Sequence, residues 1–190
     1  MTSRSEIRLA SRTDGYPLLQ VHTAGDTIAW RNASEITAKE FLVDVLATAA
    51  SLPSARYAIN LCEDRYWFLV GFAALLINQQ TNLLPPNRAV QVITEIANDY
   101  PGAYCLCDSD NYSLGLPAHR IGTDKNGDTY QPYDIPFIPA HHLAAICFTS
   151  GSTGKASAHM KYWQDLVTGS RMLQTRFAFQ QHKIIATVPP

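Results

Sequence analysis

The sequence predicts an α/β fold, a parallel sheet covered by helices. Residues 57–107 carry the prediction: short apolar runs alternate with helix-spaced stretches, and the links between them are brief. Composition supports it, because 190 residues with 46% hydrophobic and 16% charged residues suffice for one domain with a substantial core. Wholesale disorder is excluded by the same figures.

The elements follow in order. Residues 21–30 read as a hairpin with Ala24-Gly25-Asp26 as its turn. Ser34 is the expected N-cap of a helix that places Phe41, Leu42, Val45, Leu46 and Ala49 on one face and is closed by Pro53. Residues 57–62 suit a buried strand. Asp64 caps the next helix, whose core face is expected to hold Phe68, Val70, Ala74, Leu75 and Ile77. Residues 80–84 form a second strand, and residues 88–99 a helix with Val92, Ile93 and Ile96 inward. Residues 103–107 form a third strand. Residues 108–140, rich in Gly and Pro, read either as a lid-like excursion or, preferably, as an ordinary surface loop, with a short hairpin around Lys125 to Asp128. Residues 143–148 are a strongly apolar strand. Helical spacing returns at Tyr162, Leu166, Val167, Leu173 and Phe177, and a last strand is expected over residues 184–188.

Several function classes are excluded. A formal net charge of -1 argues against nucleic acid as the main partner. The longest apolar stretch, about 13 residues at 66–78, is too short for a membrane span, and no secretory leader is visible. A cytoplasmic location is the expectation. Cys62, Cys105, Cys107 and Cys147 lie in apolar, strand-like contexts without a CxxC pair, so buried thiols in a reducing compartment are expected. His141 and His142, read as neighbours on one strand, would point to opposite faces, and no protein-ligated metal site is expected. Trp30, Trp67 and Trp163 read as packing residues.

The chemistry concentrates in Thr149-Ser150-Gly151-Ser152-Thr153-Gly154-Lys155, read as lying between a buried strand and a helix. Two glycines allow backbone amides to approach a bulky anion. Four hydroxyls can donate to phosphate oxygens, and Lys155 adds a positive charge. A polyphosphate site at the carboxyl end of a parallel strand is the natural reading. The spacing is not that of a Walker A loop, since Thr149 stands where its first glycine is required and Ala156 follows the lysine. A dinucleotide fingerprint fails as well, for it needs G-x-G-x-x-G after a first strand. His159, just beyond, reads either as a group facing a phosphate or as a helix-start histidine.

Phe148-Thr149-Ser150-Gly151-Ser152-Thr153-Gly154 closely resembles the phosphate-binding motif of the adenylate-forming (AMP-binding) superfamily, which includes acyl-CoA synthetases, aryl acid ligases and peptide-synthetase adenylation domains. The family pattern runs on through a variable position to Pro-Lys-Gly. Here Lys155 takes the variable position, and Ala156, Ser157 and Ala158 replace the Pro-Lys-Gly, so the family's loop lysine is missing. Residues 26–52 and 57–87 are similar to the family's amino-terminal elements. His159, Lys161 and Trp163 are similar to a subgroup of ligases associated with aryl-polyene pigments.

The resemblance implies the amino-terminal part of an acyl-CoA synthetase-like fold over residues 1–190. It also implies a two-step reaction. A carboxylic acid attacks the α-phosphorus of ATP, with Mg²⁺, to give an acyl- or aryl-adenylate. Coenzyme A or the phosphopantetheine of an acyl carrier protein then takes the acyl group. Thr149, Ser150, Gly151, Ser152, Thr153, Gly154 and Lys155 would hold the ATP phosphates. The adenine-binding turn, the ribose aspartate and the C-terminal lid domain with its lysine are expected beyond Pro190, so the 190 residues are expected to be catalytically incomplete. The alternative is a truncated or degenerate module that binds a nucleotide or partner without turnover.

Overall fold

The computed structural model describes residues 14–109, 115–122, 134–149 and 157–178. In chain order the elements are β1 (Gly15–Pro17), β2 (Thr27–Arg31), β3 (Ser34–Thr37), α1 (Ala38–Ser51), β4 (Tyr57–Asn60), α2 (Arg65–Ile77) and β5 (Thr81–Leu84). They continue as α3 (Val90–Asp99), β6 (Tyr104–Cys107), β7 (Ala118–Arg120), β8 (Phe137–Pro139), β9 (Leu143–Thr149), β10 (Ser157–Tyr162) and α4 (Trp163–Phe177).

The main sheet has the order β10-β9-β5-β4-β6-β7. β9, β5, β4, β6 and β7 pair in parallel, and β10 closes one edge antiparallel to β9. The α/β expectation therefore holds, with mostly parallel strands as predicted for residues 57–107. One face of the sheet packs Ile59, Leu83, Cys105 and Ile146 against Ile93 and Ile96 of α3. On the other, Ala58, Leu75, Tyr104 and Leu106 form a core with Ile121. Phe41 and Val45 of α1 interlock with Tyr66, Val70 and Ala74 of α2. Gly71 lets α2 approach closely: a Cβ there would meet Leu106 Cδ2 at 2.6 Å.

The amino-terminal hairpin is displaced from its expected place. Asp26 does bracket a turn, accepting from the amides of His22 and Thr23 at 2.7 and 3.2 Å. The hairpin itself, however, joins β2 to β3 through Asn32 and Ala33, both at positive φ, 50° and 63°. That is the geometry of a two-residue turn matched to strand twist. Ser34 accordingly belongs to β3, and Thr37 is the true N-cap of α1. Its hydroxyl accepts from the Glu40 amide while the Glu40 carboxylate accepts from the Thr37 amide, a complete capping box. Asp64 caps α2 as predicted.

Residues 108–140 hold more structure than a surface excursion. β7 extends the main sheet beside β6, and β8 pairs antiparallel with β1. The hairpin expected near Lys125 and Asp128 lies outside the described residues, as does the strand expected over 184–188. His141 and His142 precede β9 rather than lying on it, and the His142 ring meets the Gln80 carbonyl at 3.1 Å. No helix among the described residues is long and apolar enough to cross a membrane.

α4 is anchored at its start. Trp163 is buried and donates from its indole to the Tyr16 carbonyl at 3.2 Å. The amides of Trp163 and Gln164 reach the carbonyls of His142 and Ala140. Farther along, the apolar stripe read from the sequence is largely exposed, with Leu173 at 51% and Phe177 at 53%.

Candidate functional site

Parallel strands present their carboxyl ends on one edge of the sheet, and ligands of open α/β sheets bind beyond that edge. Two places there concern function: the ends of β4 and β6, and the end of β9.

At the first, strand order turns around β4, with β5 on one side and β6 on the other. Such a switch point usually offers amides to an anion. Here the chain supplies its own. Asp108, just past β6, accepts from the amides of Glu63 and Asp64 at 2.9 and 2.7 Å. Asp64 in turn accepts from the amides of Tyr66 and Trp67, satisfying the first turn of α2. The Arg31 guanidinium reaches the same carboxylate at 2.9 Å and lies over the rings of Tyr66 and Trp67. Arg88 donates to the Cys62 carbonyl at 2.6 Å and pairs with Glu63 at 3.0 Å. Burial raises the Asp64 pKa, but the hydrogen bond from Arg31 and the amides outweigh it, holding the carboxyl below the usual carboxylate range. These donors and charges satisfy one another, which leaves a structural lock at this position.

The second place is the end of β9. Ala144, Ala145 and Ile146 are buried, and the strand emerges at an exposed Thr149. β9 runs parallel to β5, so Thr149 lies on the carboxyl edge. Of the predicted phosphate-binding residues, Thr149 is placed there; Ser150, Gly151, Ser152, Thr153, Gly154 and Lys155 lie outside the described residues.

The element after this stretch differs from expectation. It is strand β10, and the helix begins only at Trp163. Residues 150–156 thus connect two antiparallel strands, and the argument from an adjacent helix N-terminus does not apply. His159 is a strand residue. Its Nε2 lies 3.3 Å from the Thr149 hydroxyl, a contact that sequence reasoning missed. A signal for it existed: Ser157, His159 and Lys161 alternate with Ala158, Met160 and Tyr162, the two-residue period of a strand.

Elsewhere, Cys62, Cys105 and Cys107 are buried and Cys147 is half-buried, as the apolar contexts suggested. Burial pushes the Cys62 thiol far above its ordinary range, which makes it inert. A hollow of about 220 Å³ lined by Val21, Ala38, Lys39, Leu42 and Ile135 lies on different elements from β9 and β10, and no predicted site residue borders it.

No protein-family model matches the chain, and no curated protein matches it in sequence. Solved structures do match. MatB from Rhodopseudomonas palustris aligns at a TM-score of 0.62 with 17% identity, over 82% of this chain and 35% of that one. The ATP-bound form of MatB aligns at 0.59 with 18% identity, over 77% and 33%. The o-succinylbenzoate CoA synthetase MenE from Bacillus subtilis, in complex with an acyl-adenylate intermediate, aligns at 0.63 with 15% identity, over 83% and 44%. The chain thus spans about a third to under half of the length of these proteins. At this identity the likeness shows the fold: the chain has the architecture of the amino-terminal part of acyl-CoA synthetase-like proteins.

Proposed function

We propose that the chain is the amino-terminal, phosphate-gripping part of an ATP-dependent carboxylic acid ligase of the adenylate-forming superfamily. One observation carries the reading. The stretch that resembles the family's phosphate motif leaves its strand at Thr149, on the carboxyl edge of a sheet with the fold of these enzymes' front portion. Thr149, Ser150, Ser152 and Thr153 would donate hydroxyls to the β- and γ-phosphates. Amides near Gly151 and Gly154 would add donors, and Lys155 a charge at the rim. Adenylation gathers negative charge at phosphorus, so these groups would act by positioning and electrostatic stabilisation, with Mg²⁺ sharing the charge. The acid would be an aryl or alkyl carboxylate, and the acceptor coenzyme A or a carrier-protein phosphopantetheine. The aryl-polyene assignment is a finer proposal that rests on His159, Lys161 and Trp163 alone.

Carboxylate-dependent exchange of pyrophosphate into ATP, measured on the natural gene product with a panel of acids, tests the reading. The expected result is exchange that requires both an acid and Mg²⁺. Exchange indifferent to added acid would overturn it. A second reading, a module that binds nucleotide without turnover, is favoured by Ala156, Ser157 and Ala158 standing in place of the family's Pro-Lys-Gly. It predicts saturable MgATP binding with no exchange for any acid.

A further inference from the structure

Antiparallel register places Ser157 opposite Thr149, His159 opposite Cys147 and Lys161 opposite Ala145. Directly opposed residues project to the same face, so Thr149, Ser157, His159 and Lys161 share one face of the β9–β10 ribbon. They form a row that begins at the carboxyl edge and leads down β10. Thr149, Ser157, His159 and Lys161 are all exposed. Two further observations fix the row. The His159 ring meets the Thr149 hydroxyl at 3.3 Å, diagonally across the strands. The Lys161 charge also opposes the rise that burial imposes on the Cys147 thiol, in keeping with the register that sets both residues on this face.

Among the described residues the ion pairs are Arg31 with Asp64 and Arg88 with Glu63, and no carboxylate pairs with His159 or Lys161. At the switch point the chain neutralises its own donors with Asp108 and Asp64. Along β10 it leaves two hydroxyls, an imidazole and an ammonium facing outward together. Two hydroxyl donors, a ring nitrogen and a cation at strand spacing suit an extended anion with several oxygens better than a single carboxylate.

We propose that Thr149, Ser157, His159 and Lys161 form a polyphosphate-binding row along β10, supplying the cationic contact that the missing loop lysine does not. His159 orients the Thr149 hydroxyl and donates to the anion; Lys161 contributes charge at the far end. The inference rests on the phosphate-binding reading above and extends it to a strand face outside the Ser/Thr/Gly stretch.

The test is equilibrium binding of inorganic tripolyphosphate and of MgATP to the 190-residue chain, by calorimetry, with sulfate as the control anion. Variants are His159→Gln, Lys161→Gln and, as a charge-matched control on α1, Lys39→Gln. All three positions are exposed, so far-UV circular dichroism should be unchanged. The expected result is that His159→Gln and Lys161→Gln each weaken tripolyphosphate about 3- to 5-fold, the scale of a solvent-exposed charge contact. Lys39→Gln should leave it unchanged, and sulfate should bind far more weakly. If the wild type binds tripolyphosphate but His159→Gln and Lys161→Gln bind it equally well, the row is overturned while the phosphate reading stands. If Lys39→Gln loses as much, the effect is net charge alone and the row is again overturned. A wild type that binds neither tripolyphosphate nor MgATP would overturn both readings.

Discussion

Asp64 joins three parts of the carboxyl edge, so replacing it separates the forces there. Asp64→Ala removes the N-cap of α2, whose carboxylate accepts from the amides of Tyr66 and Trp67 at 2.8 and 3.2 Å. Loss of such a cap costs about 1 kcal/mol, within a range of roughly 0.5–2. The substitution also removes the partner of Arg31. Those two side chains are 35% and 37% exposed, so screening holds the pair to about 0.2–1 kcal/mol. Arg31 keeps its stacking on Tyr66 and Trp67, which limits the damage. The total is roughly 1–3 kcal/mol, or a fall in melting temperature of about 2–12 °C for a chain this size. Asp64→Asn isolates the charge, because asparagine caps about as well as aspartate; its cost should be under about 1 kcal/mol.

The pH dependence follows from the sign of the shift. A carboxyl held below its unfolded value stabilises fully above that value, about 3.9, and loses the contribution as pH falls through the folded one. The gap between wild type and Asp64→Asn should therefore be constant from about pH 8 to 5 and narrow below about pH 4. Thermal melts followed by circular dichroism measure both effects. Asp64→Asn as damaging as Asp64→Ala would rule out a separate capping contribution, and a gap unchanged at low pH would rule out the depressed carboxyl.

Three further predictions concern the scaffold. Ala33→Gly should stabilise the chain by about 1 kcal/mol in urea melts, because Ala33 holds a left-handed conformation at φ 63° that glycine adopts without strain. Gly71→Ala should destabilise by about 1–3 kcal/mol, since the added Cβ would meet Leu106 Cδ2 at 2.6 Å and Ile121 Cδ1 at 3.2 Å. In thiol modification by a chromogenic disulfide at neutral pH, half-buried Cys147 should react first and Cys62 only on unfolding, because burial raises the Cys62 thiol and hides it.

The sheet was legible in the sequence where local and global signals agreed. Residues 57–107 combine apolar runs with helix-spaced stretches, and the structure forms β4, α2, β5, α3 and β6 there, with Asp64 at its cap. The hairpin was misplaced because Gly25 is the stronger turn residue by composition, whereas the turn used is Asn32-Ala33, where Ala33 carries an unfavourable φ. β7 and β8 are three residues each and owe their form to partners distant in sequence, which no local pattern encodes. At the candidate site, the Ser/Thr/Gly composition marked Thr149, but not the strand that follows. Alternation over Ser157–Tyr162 announced that strand, and the expectation of a helix after a phosphate loop obscured it. The pairing of Thr149 with His159 needs the β9–β10 register, which depends on three-dimensional pairing rather than on residue type.

Under the proposed function, the Ser/Thr/Gly stretch beginning at Thr149 grips the phosphates of ATP. Equilibrium binding of MgATP to wild type and to Thr153→Ala tests it most directly. Loss of one hydroxyl donor to a charged phosphate oxygen predicts affinity weakened about 10-fold or more, with the fold intact by circular dichroism. Equal affinity in the two proteins would contradict the claim.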